Sequence, residues 1–153
     1  MATKTTKAKT AGKPAKRKPG KYSREKGARF ERTLAAKLRE FGYDDCRRTA
    51  QYCGNTGDAS DVVGLPYLHI EAKAQERMSL YEWIAQAKND AKASGKGALP
   101  AVFHKKNNAN ILVTMELEDF MQIYTEYEAG RTLAQREEAA ENAGKDENTE
   151  AGA

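Results

Sequence analysis

Phe30, Leu34, Leu38 and Phe41 recur at the spacing of one helical face. They predict a helix over residues 23–41, with Ser23 as its N-cap and Gly42 as its stop. Glu31 sits at the edge of that stripe, so it either faces a site beneath the helix or pairs in solvent with a neighbouring Arg. From Arg47 the helical period is lost, and residues 47–53 read as a strand. Val62 and Val63 make a short apolar strand. After the turn Gly64-Leu65-Pro66, Leu68, Ile70 and Ala72 alternate with His69, Glu71 and Lys73. A second helix follows over residues 79–94. Leu80, Trp83, Ile84, Ala87 and Ala91 form its apolar face, Ser79 and Glu82 read as a capping box, and Gly95 ends it. Trp83 reads as core or dimer contact rather than a stacking platform. Residues 98–105 and 111–115 read as strands joined by a polar turn. Residues 117–127 close as a helix with Leu117, Phe120, Ile123 and Tyr124 on one side. The order α-β-β-β-α-β-β-α predicts an α/β fold, a mixed central sheet flanked by helices.

Composition divides the chain. Of its 153 residues, 39% are apolar and 31% charged, and the net charge is +4. The first 20 residues hold seven basic groups and no acid, whereas residues 21–130 balance sixteen against sixteen. The positive charge therefore belongs to an arm. With no large apolar residue after Met1, that arm is expected to be disordered and suited to phosphate neutralisation; a solubilising tail is the plainer reading. The expected division is a basic arm over residues 1–22, a folded domain over 23–129, and a largely disordered acidic tail over 130–153. No apolar run is long enough to cross a membrane and no secretory signal opens the chain. Cys46 and Cys53 are spaced for neither a zinc site nor a strand disulfide, so reduced thiols in a cytoplasm are expected. There is no glycine-rich nucleotide loop, so no nucleotide cofactor is implied.

The chemistry concentrates on Asp61, Glu71 and Lys73. Strand alternation puts Glu71 and Lys73 on one face, and a hairpin through residues 64–66 brings Asp61 opposite them. Two carboxylates and an ammonium suit a hard divalent cation and a phosphate diester. Mg²⁺ takes oxygen ligands and keeps several waters, so Asp61, Glu71 and the Ala72 backbone carbonyl are candidate ligands, with Mn²⁺ as a substitute. Lys73 is placed to orient a water and stabilise charge in the transition state. Asp58 competes with Asp61, but it is loop-borne, whereas Val62 and Val63 anchor Asp61 at a strand start. A second acidic-x-Lys, Asp90-Ala91-Lys92, lies in a helix, where those two positions point apart. His69 shares the Glu71 face and reads as packing or surface. Arg47, Arg48 and Lys105 are candidate DNA contacts, and Gly54-Asn55-Thr56-Gly57 is a flexible loop ahead of Asp61.

Asp61 followed at nine intervening residues by Glu71-Ala72-Lys73 resembles the PD-(D/E)xK nuclease motif, with Ser60 where the motif nominally has Pro. Lys26-Gly27-Ala28-Arg29-Phe30-Glu31-Arg32 resembles the opening helix of archaeal-type Holliday-junction-resolving enzymes. The stretches from Glu82 and from Pro100 resemble the following helix and strand of bacteriophage proteins of this type. The resemblance spans residues 23–124 and implies a restriction-endonuclease-like αβββαβ core. It implies a catalytic set of Asp61, Glu71, Lys73 and Glu31, with Gln86 on the second helix facing the site. A Mg²⁺-dependent endonuclease acting on branched DNA as a homodimer is what it suggests, in a host cytoplasm if phage-encoded. The alternatives are cleavage of nicked, flapped or linear duplex DNA, and a non-catalytic protein that binds DNA through the basic arm.

Overall fold

The computed structural model describes residues 19–49 and 60–150. The first eighteen residues, the Gly54–Gly57 loop, Asp58, Cys53 and the second half of the expected first strand lie outside the described residues. Eight elements follow the expected order: α1 (Pro19–Glu40), β1 (Arg47–Arg48), β2 (Val62–Val63), β3 (Leu68–Ala74), α2 (Leu80–Ser94), β4 (Leu99–Lys105), β5 (Leu112–Thr114) and α3 (Leu117–Glu150). The strands form one mixed sheet in the order β1-β2-β3-β4-β5. β1, β2 and β3 pair antiparallel, with Arg48 opposite Val62 and Val62 opposite Ile70. β3 and β4 pair parallel along their whole length, with α2 as the crossover.

Both faces of the sheet are covered. Phe30, Leu34 and Leu38 of α1 pack with Val62, Ile70, Ala72, Ala101 and Phe103. Trp83, Ile84 and Ala87 of α2 pack with Val102 on the opposite face. The alternating residues of β3 therefore enter different layers, and the middle of the strand, His69 to Ala72, is buried on both faces. Both His69 and Glu71 are buried, which rules out a solvated strand face.

Several boundaries differ from expectation. α1 already includes Pro19, upstream of the expected start at Ser23. Phe41 is 77% exposed and is not core. The helix ends one residue earlier, at Glu40, and the Gly42 turn (φ 93°) carries Phe41 off the buried stripe. Ser79 is the residue before α2, but its side chain makes no capping bond; its carbonyl accepts the Trp83 N–H at 3.0 Å instead. Gly95 does close α2 in the left-handed conformation. α3 runs to Glu150, far past residue 127. Leu117, Phe120, Ile123 and Tyr124, which share one side of that helix, are 40% or more exposed. Among the described residues no helix is long and apolar enough to cross a membrane.

Candidate active site

Asp61 precedes β2 and is gripped through its backbone from both sides. Its N–H donates to the Ile70 carbonyl of β3 at 2.8 Å, and its carbonyl accepts the Thr49 N–H at 3.0 Å. Ser60 locks the same junction. The buried hydroxyl accepts the Ile70 N–H at 2.9 Å, and its proton lies within reach of the Val62 (2.7 Å) and Ile70 (3.0 Å) carbonyls. Thr49 adds a bond from its hydroxyl to the Ser60 carbonyl. With the backbone fixed in this way, the Asp61 carboxylate crosses to β3 and accepts the Ala72 N–H at 2.8 Å. In an extended strand the N–H and C=O of one residue face the same edge. The Ala72 carbonyl thus shares the edge that Asp61 caps.

Glu71 and Lys73 flank that point and form an ion pair with each other. Glu71 is 3% exposed, and Lys73 donates a second bond to Gln86 Oε1 of α2 at 3.1 Å. From α1, Glu31 pairs with Arg48 of β1. Lys73 is thus held from two sides, and its ammonium lies beside the carboxylates rather than free in solvent.

The electrostatics are those of crowded anions. Burial, and next the Glu71 carboxylate, push the Asp61 carboxyl up to about 7; the Ala72 N–H opposes this, Glu31 adds to it and Lys73 opposes it. Burial likewise raises Glu71 against the pull of Lys73, with Asp90 and Glu31 adding to the rise. Arg48 pairs with Glu31, but the one Lys73 ammonium does not offset two buried carboxylates with Asp90 nearby. A hard divalent cation would supply the missing charge. Among the described residues no cluster of three His, Cys, Asp or Glu side chains could hold a metal. Two carboxylates and a backbone carbonyl at one strand edge have the oxygen chemistry that hard divalent cations take.

The family model described as "Phage putative PDDEXK endonuclease" matches residues 22–150. The chain belongs to this family. This phage-type endonuclease is accordingly a hydrolase acting on DNA, in a superfamily that generally uses divalent metals. Among solved structures, Hjc of Archaeoglobus fulgidus, a Holliday junction resolvase from an archaeal hyperthermophile, is similar at 28% identity. The match covers 58% of this chain and 76% of that one, with a TM-score of 0.46. Comparison with curated proteins gave no match.

Of the residues singled out in the endonuclease, Asp61, Glu71, Ala72, Lys73 and Gln86 come together directly. Glu31 lies close enough for its charge to act on both Asp61 and Glu71. Arg48 is half-buried against Glu31 and not an open contact, while Arg47 is exposed and Lys105 partly so. Asp90 was missed as a neighbour of the site. It follows Gln86 by four residues on α2, and its charge acts on Glu71 and His69. The i, i+4 spacing from Gln86 was the signal that could have found it. Ser60 was missed too, because a hydroxyl that staples two strands has no periodic signature.

Proposed function

We propose that the endonuclease is Mg²⁺-dependent and cuts branched DNA as a homodimer. The observation that carries this reading is the Asp61 carboxylate held on the Ala72 N–H beside the buried Glu71–Lys73 pair. Asp61, Glu71 and the Ala72 carbonyl would hold the ion. When bound, the ion lowers the pKa of a water and offsets charge on the scissile phosphate. Lys73 orients that water and stabilises the developing oxyanion. Gln86 fixes the Lys73 ammonium, and Glu31 serves as an outer carboxylate. Arg47 and Lys105 contact phosphates on either side, and Arg48 joins them when it leaves Glu31.

The branched substrate is supported by the segment from Lys26 to Arg32, which resembles the opening helix of junction-resolving enzymes. Dimerisation is supported by the apolar surface that α3 and the edge strand β5 leave exposed at Leu112, Val113, Leu117, Phe120, Tyr124 and Tyr127. The test is cleavage of a labelled four-way junction and a matching linear duplex, each with Mg²⁺ or EDTA. Paired Mg²⁺-dependent nicks on the junction alone are expected. Glu71→Ala is expected to lower cutting at least about a thousandfold, the scale of losing a group that acts mainly in the transition state, while DNA binding persists. Cutting that survives Glu71→Ala would remove the proposed site. Equal cutting of both DNAs would remove the preference for branches.

A further inference from the structure

Among the described residues, nothing requires position 27 to be glycine. It lies inside α1 with ordinary helical backbone, so no left-handed φ demands it. A methyl group built there meets a single atom, Glu31 Oε1 at 3.7 Å, which is ordinary van der Waals contact. Packing against the sheet therefore does not exclude alanine. Yet glycine weakens a helix interior more than any residue except proline. The described residues leave that sacrifice unexplained.

Its position supplies a reason. Glu31 is one helical turn further along, on the same side of α1, and its charge acts on Asp61 and Glu71. The other end of α1, at Leu38, borders the β2–β3 turn around Leu65 and Leu68. Going back from Glu31 to Gly27 thus leads away from that turn and outward over the carboxylate end of the site. Gly27 is only partly covered, Arg24 nearly one turn further back is exposed, and Lys26 beside it is half-buried. Backbone without a side chain, one turn from Glu31 and with Arg24 and Lys26 beside it, would give a closely approaching chain room to pass among the described residues.

We propose that Gly27 is a contact point for the sugar–phosphate backbone of the DNA, a notch in α1 over which the strand enters the site. This rests on the endonuclease reading of Asp61, Glu71 and Lys73. Gly27→Ala and Gly27→Leu test it, with affinity for a labelled junction measured in Ca²⁺, cleavage in Mg²⁺, and thermal unfolding of each protein. Gly27→Ala is expected to melt at a higher temperature than the parent while binding DNA more weakly. Gly27→Leu is expected to weaken binding by about tenfold or more because the added side chain occupies the strand's path, with half-saturation by Mg²⁺ and kcat at saturating DNA unchanged.

Because the added side chain lies near Glu31, Gly27→Leu is also made in a Glu31→Ala background. A blocked strand path keeps the affinity loss there, whereas an effect transmitted through Glu31 disappears and overturns the proposal. Parental affinity in Gly27→Leu overturns it too, as does a lowered melting temperature in Gly27→Ala. A parent protein that cuts no DNA in Mg²⁺ removes the endonuclease reading and this inference together. A parent that cuts, with both variants binding normally, removes only the inference.

Discussion

Asp61 contributes a pH dependence to the stability of the isolated protein. Its carboxyl rises from 3.8 to about 7, through burial first and Glu71 second. Below 3.8 the group is protonated folded or unfolded, and the extra stability of the protonated form is fully present. Between 3.8 and about 7 the folded chain keeps a proton that the unfolded chain has lost, so stability declines as pH rises through this window. Above about 7 the contribution is gone and the buried charge remains. Glu71, raised for the same reason, acts in the same direction. Asp61→Asn keeps an oxygen for the Ala72 N–H but removes the charge. Without metal it is expected to match the parent's melting temperature at pH 4 and exceed it at pH 8. Mg²⁺ should raise the parent's melting temperature at pH 8, have little effect at pH 5, and leave Asp61→Asn nearly unmoved. Equal unfolding temperatures for the two proteins at pH 8 in EDTA would show that Asp61 carries no buried charge. Asp61, Glu71 and Lys73 were legible beforehand because strand alternation and one short turn suffice to align them. The Glu31–Arg48 pair was not, because it joins a helix to a strand seventeen residues later. No periodicity encodes which charges meet across two packed elements.

At the scale of elements, the site depends on how β2, only two residues long, is held in place. Its turn begins at Gly64, whose φ is +102°. A Cβ there would overlap the Asp45 carbonyl and come within 2.6 Å of the Cys46 N. The loop into β1 thus crosses directly over the end of β2. Gly64→Ala is expected to destabilise the fold by about 2–4 kcal/mol, combining backbone strain with a backbone clash. It should also weaken metal binding by moving Asp61. Gly95 is a useful contrast: it too has positive φ (65°), yet nothing lies within 4 Å of an added Cβ. Gly95→Ala should therefore cost only about 1 kcal/mol and leave activity intact. Urea unfolding of both variants checks the pair, and equal costs would show that close approach contributes nothing. The order and types of the elements were readable from periodicity, since the amphipathic stripes of α1 and α2 and the alternation in β3 each select one answer. Their ends were less so. Phe41 continues the helical spacing after the helix has stopped, and α3 continues where apolar periodicity has faded. In both places the local pattern does not record where tertiary packing ends.

At the scale of the whole molecule, two surfaces remain unexplained by the fold of one copy. The first is charge: residues 21–130 balance, and the excess lies in the first 20. Deleting residues 1–18 should weaken DNA binding and flatten its dependence on salt, because fewer counterions are released, while Mg²⁺-dependent cutting survives. Loss of all cutting on deletion would favour a protein that works through its arm.

The second surface is apolar. Phe120 stacks on Tyr124, and Tyr124 meets Tyr127, yet all three are 44% or more exposed. They follow a three- and four-residue spacing along α3 that suits burial against another helix. Next to this stripe in sequence, β5 is an edge strand whose Leu112 and Val113 are also exposed. Edges of this kind are normally covered, charged or cut short. Resolving a four-way junction requires nicks on two opposed strands, and two copies joined through α3 would supply two sites at a fixed separation. Phe120→Lys with Tyr124→Lys adds charge to the stripe and touches none of the residues around Asp61. The parent is expected to scatter light as a dimer and the double variant as a monomer. The variant should still nick DNA with Mg²⁺, but its nicks on the two strands of a junction should fall out of step. A parent that is monomeric at concentrations where it makes paired nicks would locate the pairing elsewhere, in two copies that meet only on the DNA.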